Sequence, residues 1–527
     1  MDNLLIALDG KSKKHLYEQI YDFIRKEIRE GKLRFGERLP STRLLAQQLQ
    51  ISRSTVELAY EQLSSEGYIQ PRPCRGYFIC DVSQHQDFSA PFAEKKPDGA
   101  EKHPFEERME HPETETRSGA DPSAALPYDF SPNAIDMTLF PVETWKRIHK
   151  RVLLDYQDNL LRLGDARGDL QLRETICHYL HASRGMNCNP DQIVIGAGND
   201  YLLLLLQKIL GPGRTVAMEQ YTYMRAYRIF KSGGYRMRKI GMDESGMKAE
   251  ELASSDADIA YVMPSHQFPC GVTMPIRRRM ELLAWAQGRE DRYLIEDDYD
   301  SEFRYRGKPV PALQSLDGSG RVICIGTFSK SLTPAIRISY LVLPRQLLPL
   351  YEKNAGFLSS TVSRIDQAVL NTFIAEGYFE RHLNKSRKIY RQKHDVLMEA
   401  IQPLKEIFDI CGDEAGLHII LRLKKEKAAK LFSGSDALCE SEMLRSAYES
   451  GCKVYGMRAY EMPDEWEEWQ DKQEENSRDS HTKSKKEPRM PEFLLGYASM
   501  RPDQIEEGAS RLSNVWLPSA SSSRSAK

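Results

Sequence analysis

Between Ser83 and Ala125 the chain is rich in Pro, Glu, Lys, His, Ser and Gly and shows almost no apolar periodicity. Such a stretch buries too little surface to offset the entropy of ordering it. The chain therefore cannot close into a single body. The sequence predicts a unit over residues 1–80, a flexible linker over 81–126 and a second unit over 127–520. As a random coil the linker would span on the order of 35 Å, enough to hold the first unit away from the second or against a partner's.

Residues 1–80 carry 13 Lys/Arg against 10 Asp/Glu, a net +3, whereas the whole chain is −2 and the remainder therefore −5. Leu16, Ile20, Phe23, Ile24 and Ile28 fall at helical spacing. Pro40 breaks the chain, and Ser41 caps a second helix over 42–49 with Leu44, Leu45 and Leu49 on its apolar face. Ser52 caps a third, which opens Ser52-Arg-Ser-Thr-Val56. Helix, tight turn and helix predict a helix-turn-helix. Tyr68-Ile69 and Gly76–Ile79 predict two wing strands. Ser41, Arg43, Ser52, Arg53, Ser54 and Thr55 suit contacts to phosphates and base edges of double-stranded DNA, with Arg72 and Arg75 on the wing as further cations. The plain alternative is a helical hairpin with surface charge.

From Tyr128 apolar strands alternate with helical stretches, the pattern of an α/β domain. Val322-Ile-Cys-Ile325 leads into Gly326-Thr-Phe-Ser-Lys-Ser-Leu-Thr-Pro-Ala-Ile-Arg337. A strand that delivers Lys330 into a loop, with an arginine seven residues on, is the local chemistry of a pyridoxal phosphate site. Lys330 would form a Schiff base with the aldehyde, while the hydroxyls of Thr327 and Ser329 and the fork of Arg337 would take phosphate oxygens. Tyr293-Leu-Ile-Glu-Asp-Asp-Tyr-Asp300 ends a strand in clustered acids, where α/β proteins place ligands. Asp297 there would hold the pyridinium nitrogen and Tyr299 the phenolic oxygen. Alone, Lys330 reads as a solvated loop lysine and the acids as a metal site or strand end; together they favour the cofactor. Gly198 and Asn199, in Ile193-Val-Ile-Gly-Ala-Gly-Asn-Asp, would offer backbone N–H groups to a phosphate, or simply turn a strand into a helix.

Leu39-Pro-Ser-Thr-Arg43, Ser52-Arg-Ser-Thr-Val56, Ala59-Tyr-Glu-Gln-Leu63 and Glu66-Gly-Tyr68 resemble the winged helix-turn-helix of the GntR family of bacterial transcription regulators. Pro264-Ser-His-Gln-Phe-Pro-Cys-Gly271, Glu296-Asp-Asp-Tyr-Asp-Ser-Glu-Phe303 and Thr327–Arg337 resemble fold-type I aminotransferases, and the order of head, tether and body is similar to the MocR subfamily. The resemblance implies an internal aldimine at Lys330, Asp297 on the pyridine nitrogen, Tyr299 near the phenolic oxygen and Arg337 on the phosphate. Tyr223 and Arg225, in Tyr-x-Arg order, are similar to the pair that stacks near the ring and approaches an effector carboxylate in the member sensing 4-aminobutyrate. It also implies a homodimer with each head over the other subunit's body. Two departures stand out. Phe268-Pro-Cys-Gly271 lacks the Asn of the aminotransferase Asn-Pro-x-Gly turn, and Phe493–Ala498 lacks the usual substrate-carboxylate arginine. Arg458 would supply that charge, or is an ordinary exposed arginine.

The expectation is an α/β protein, a winged helix-turn-helix plus an aminotransferase-like body. It would be a cytoplasmic DNA-binding regulator that senses a small amino-acid-like effector through an external aldimine, without efficient turnover. A working aminotransferase carrying a DNA-binding head is the first rival. A body that has lost its cofactor and only dimerises is the second. No apolar run approaches the ~20 residues that cross a bilayer, and Met1-Asp2-Asn3 does not open like a signal peptide. The nine cysteines show no metal spacing, so reduced thiols and no metal are expected. The charged stretch 464–491 is expected to be a solvated insertion, whose Lys-rich part would alternatively touch DNA, and 521–527 a disordered tail.

Overall fold

The computed structural model describes Ile6 and residues 14–30, 32–34, 36–65, 68–72, 76–79, 126–155, 158–304, 311–413, 415–427, 436–463 and 490–517. The linker expected over 81–126 (save residue 126), most of the insertion expected over 464–491, the tail and Arg75 lie outside these residues. Contacts divide the chain into two units, Met1–Met109 and Glu110–Lys527, and each is described by itself.

The first unit holds α1 (Leu16–Arg29), α2 (Thr42–Leu49), α3 (Arg53–Ser65) and an antiparallel ribbon of β1 (Ile69–Arg72) and β2 (Gly76–Ile79), in which Ile69 faces Ile79. Ile20, Ile24, Leu45, Val56, Ala59 and Leu63 are fully buried between the helices, and Ile69 and Ile79 close the core from the ribbon. Leu44, expected on the apolar face, is 38% exposed. Neighbouring residues on a helix point about 100° apart, so Leu45 and Leu49 take the inward stripe and Leu44 turns out. The Tyr60 hydroxyl, buried in α3, donates to the Pro40 carbonyl at 3.0 Å and fixes the turn that starts α2.

In the second unit β3 (Tyr128–Asp129) precedes α4 (Val142–Leu154) and α5 (Leu170–Arg184). There follow β4 (Ile193–Gly196), α6 (Asn199–Leu210), β5 (Thr215–Glu219), α7 (Met224–Ser232), β6 (Arg236–Ile240) and a small hairpin of β7 (Met242–Asp243) and β8 (Gly246–Met247). Then come β9 (Ile259–Val262), β10 (Tyr293–Asp298), β11 (Val322–Thr327) and β12 (Ser339–Val342). Seven of these strands form one sheet in the order β4-β12-β11-β10-β9-β5-β6. Only β12 runs antiparallel to its neighbours. Every residue of β4, β5, β9, β11 and β12 is buried. A sheet covered on both faces needs such continuous apolar runs, which is why Ile193-Val-Ile and Val322-Ile-Cys-Ile do not alternate.

A second sheet is built from β13 (Phe408–Cys411), β14 (His418–Leu423), β16 (Tyr455–Gly456) and β17 (Glu492–Gly496), in the order β13-β14-β17-β16, while β15 (Cys452–Lys453) pairs with β3. In the large sheet β4, β10 and β11 point the same way, so their carboxyl ends reach one edge, where α6 begins. Two cysteines read as isolated in sequence, Cys177 on α5 and Cys188 ahead of β4, meet in space, their sulfurs 3.9 Å apart. No helix among the described residues is long and apolar enough to cross a membrane.

Candidate functional site

The shared edge of β4, β10 and β11 opens into a cavity of about 130 Å³. Lys330 reaches it from the turn after β11, and its Nζ donates to the Asn133 carbonyl at 2.7 Å. On the same turn Thr327 Oγ1 accepts the Ser329 N–H at 3.1 Å and the Ser339 hydroxyl at 2.8 Å. Thr327 and Ser329 both line the cavity.

From β10, Asp297 faces the same space at 3% exposure. Its carboxylate accepts the Tyr261 hydroxyl in a short hydrogen bond, and the Asn199 amide at 3.4 Å. Burial pushes the Asp297 carboxyl up to about 7, against the pull of the Tyr261 hydrogen bond. Tyr299, two residues on and just past β10, lines the cavity, with its hydroxyl 2.9 Å from His266 Nδ1.

The rim is ionic. Arg337, in the left-handed region at φ 48°, donates to the Ala197 carbonyl at 3.3 Å and lies 3.6 Å from Asp200 Oδ2. The same Asp200 oxygen is 3.3 Å from Arg225 Nη1. Gly198, with φ 87°, caps α6, and a Cβ there would stand 2.4 Å from Arg337 Nη2. Tyr223 packs edge-on to Phe268, 6.4 Å between ring centres, and both line the cavity.

One cavity thus collects Lys330, Asp297, Tyr299, Thr327, Ser329, Asn199, Arg337, Tyr223 and Arg225, all singled out from sequence. Arg458 is not among its lining residues; the side chain pairs with Glu440, Nε to Oε2 3.2 Å. Sequence reasoning missed Asn133, Tyr261 and Asp200. Asn133 lies in a loop almost 200 residues before Lys330, and Tyr261 is one aromatic in an apolar strand; neither leaves a local signal. Asp200, directly after Asn199 at a helix start, was within reach.

In the first unit Ser41 Oγ accepts the Leu44 N–H at 3.2 Å and Ser52 Oγ the Thr55 N–H at 3.2 Å, the two expected caps. Ser52 also shares hydrogen bonds with Ser54 and Thr55, at 2.9 and 2.7 Å. Arg43 is exposed. Arg53 pairs with Glu57 at 2.7 Å, and the Arg72 guanidinium lies over the Phe78 ring at 4.6 Å.

The cavity's groups match the parts of pyridoxal phosphate. Lys330 would supply the amine for an aldehyde. Asp297, desolvated and raised, would ionise against a pyridinium N–H. Arg337, the hydroxyls of Ser329 and Thr327 and the start of α6 would together hold a phosphate, and a Cβ on Gly198 would run into the Arg337 guanidinium of that cradle.

Comparison with known proteins agrees. Residues 129–460 match the family Aminotransferase class I and II, and residues 16–79 match Bacterial regulatory proteins, gntR family. The chain is 36% identical over 516 residues to the uncharacterized HTH-type transcriptional regulator YhdI of Bacillus subtilis, covering 98% of both chains. It is 32% identical to the probable rhizopine catabolism regulatory protein MocR of Rhizobium meliloti, over 80% of this chain and 84% of that one. Among solved structures, kynurenine aminotransferase of Pyrococcus horikoshii matches at 26% identity with a TM-score of 0.59, over 75% of this chain and 91% of that one. The chain belongs to the HTH-type transcriptional regulators in which a gntR-family DNA-binding head is joined to a pyridoxal phosphate body of the aminotransferase class I and II family.

Proposed function

We propose that this regulator reports a small amino compound bearing a carboxylate to a DNA operator, and that it works as a cytoplasmic homodimer. The observation that carries the reading is Arg225 beside Tyr223 at the rim of the cavity that holds Lys330. An amine-reactive centre and a guanidinium face one space in a chain that also carries a DNA-binding head. Bound pyridoxal phosphate supplies an aldehyde that exchanges one amine for another and a ring that accepts electrons. Lys330 would hold the aldehyde at rest, and the Asn133 carbonyl, 2.7 Å from its Nζ, would serve as acceptor for that amine when another amine is bound. Arg225 leaves Asp200 for the ligand's carboxylate, a charge-assisted pair. Arg458 would have to leave Glu440 to join it. The span from Lys330 to Arg225 sets the length of ligand accepted, and 4-aminobutyrate is the first compound to try. Because these contacts exist only in the liganded state, they favour one arrangement of the body over another, which is what a sensor needs.

Exposed Leu154, Leu161, Leu163 and Phe357, at 73, 66, 82 and 75%, support a body that covers apolar surface with a second copy. A working aminotransferase is the second reading, favoured by Lys330 and Asp297 sharing one cavity. Phe268 weighs against it, since it stands where aminotransferases place the Asn of their Asn-Pro-x-Gly turn.

The test is the visible absorption spectrum of the protein with pyridoxal phosphate, for wild type and Lys330→Ala, titrated with amino acids while keto acid and operator binding are followed. A lysine-dependent band that one amine shifts, with altered operator binding and no keto acid, is the expected result. Sustained keto acid production selects the enzyme, and no band in any condition removes the cofactor from the protein's function.

A further inference from the structure

His266 and Asp300 form a buried pair directly behind Tyr299, and neither has a role in the reading above. His266 is 2% exposed and Asp300 3%. One ring nitrogen, Nδ1, lies 2.8 Å from Asp300 Oδ2 and 2.9 Å from the Tyr299 hydroxyl. The other, Nε2, is buried with no hydrogen-bond partner among the described residues. The ring packs against Gly416, where any Cβ would run into His266 Cε1, so the glycine leaves room for the ring. The neighbouring ring, His418, has its centre 5.2 Å off and is kept neutral chiefly by burial, which lowers it to about 3.

This geometry selects a tautomer. With its proton on Nε2, His266 would bury an unpaired donor and set a bare Nδ1 lone pair against the Asp300 carboxylate. With its proton on Nδ1, it donates to Asp300 and leaves only an unused lone pair, the smaller loss. The Nδ1–H then also faces the Tyr299 oxygen, which accepts and keeps its own proton to give elsewhere. Asp300 is the competing acceptor for that proton: burial first, and then Asp300, holds the Tyr299 phenol well above its ordinary value. His266 occupies the Asp300 oxygen Oδ2 and so competes with the phenol for this acceptor.

We propose that His266, anchored on Asp300, is a positioning residue that turns the Tyr299 O–H into the cavity as a hydrogen-bond donor to the cofactor's phenolic oxygen. The proposal rests on the pyridoxal phosphate reading: with Asp297 at the ring nitrogen and Lys330 at the aldehyde carbon, the phenolic oxygen next to that carbon is the ring acceptor left for Tyr299. Without His266, the hydroxyl turns back to Asp300 and the phenolic oxygen loses its donor.

The test is a pH titration of the visible band of the cofactor-loaded protein, with cofactor retention on ultrafiltration measured alongside. A donated hydrogen bond favours the phenolate, so losing it raises the pH midpoint, by roughly 1–2 units for one bond to a charged group. His266→Leu and Tyr299→Phe should shift the midpoint alike, and the double variant no further than either. His266→Asn, whose amide N–H stands where Nδ1–H stood, should stay near wild type; His266→Gln, with its amide at the ε position, should shift. If the leucine variant does not fold, the Asn and Gln variants decide between them. An unshifted His266→Leu beside a shifted Tyr299→Phe overturns the proposal, as do additive shifts or an Asn variant as perturbed as Leu. A wild type that forms no band overturns the cofactor reading and this proposal together, whereas a wild-type band that no variant moves overturns this proposal alone.

Discussion

The guanidinium of Arg337 lies over Gly198, so close that a Cβ on the glycine would stand 2.4 Å from Nη2. The contact joins the turn after β11 to the first turn of α6, the two elements that would cradle the phosphate. Gly198→Ala meets two penalties, since φ 87° strains any L side chain and the methyl displaces Arg337. Affinity for pyridoxal phosphate should fall about tenfold or more, the effect of one charge-assisted contact worth ~1.5–3 kcal/mol. Affinity for pyridoxal, which has no phosphate, should change far less. Equilibrium ultrafiltration with both compounds measures the difference, and equal losses would place the cradle elsewhere.

Arg184 and Asp298 form a buried ion pair under the acid cluster, 5 and 7% exposed, with Nε 2.9 Å from Oδ2. Burial opposes the arginine's charge, yet Asp298 and Glu296 outweigh it and hold the guanidinium charged. Arg184→Met leaves Asp298 buried without its cation. That should cost about 3–5 kcal/mol, read as a lower urea midpoint of the body. A change under ~1 kcal/mol would mean that water already reaches the pair.

Asp297 gives the cofactor-free body a pH dependence of definite sign. Burial pushes its carboxyl up to about 7, whereas an unfolded aspartate titrates near ~3.9. Between these values the folded protein keeps a proton that the unfolded chain has released. The stability contribution is complete below about 3.9 and is lost as pH rises through about 7, with an upper bound of about 4 kcal/mol. Glu219 and Glu302, also pushed up to about 7 by burial, add slope in the same direction. Asp297→Asn should therefore flatten, without abolishing, the fall in melting temperature across this window. Pyridoxal phosphate should restore the wild type at the alkaline end more than the Asn variant. Parallel melting curves for the two proteins would show that the carboxyl is already ionised.

How much of this was legible in sequence depended on how local each signal is. Ser41 and Ser52 were readable because a cap acts on the N–H three residues on, Lys330 and Asp297 because each sits at or just past the end of an apolar strand, and Arg337 because it falls seven residues after Lys330. Asn133 and Tyr261 were not, since their roles arise only when a loop and a strand far apart in sequence meet Lys330 and Asp297. Leu44 shows the limit within one helix: periodicity identified the apolar stripe, but packing against α3 and the ribbon decided which leucine turned inward. The His266–Asp300 pair was hidden for the same reason as Tyr261. Histidine and aspartate 34 residues apart carry no joint pattern until β9 and β10 lie side by side.

At the start of α3 the Arg53 guanidinium, 66% exposed, is 2.7 Å from Glu57 at 38%. A surface pair of this kind is worth only ~0–1 kcal/mol, so a DNA phosphate can take the arginine at small cost. Arg53→Ala should weaken operator and non-specific DNA alike and lower the salt dependence of binding by about one released counterion. Glu57→Ala should do the reverse, tightening both by about two- to fivefold, because the same arginine is then freed and a negative charge leaves the interface. Fluorescence anisotropy with operator and scrambled duplexes over a salt series reads both effects. If Arg53→Ala instead relaxes sequence preference and leaves the salt slope unchanged, the arginine reads a base edge rather than a phosphate.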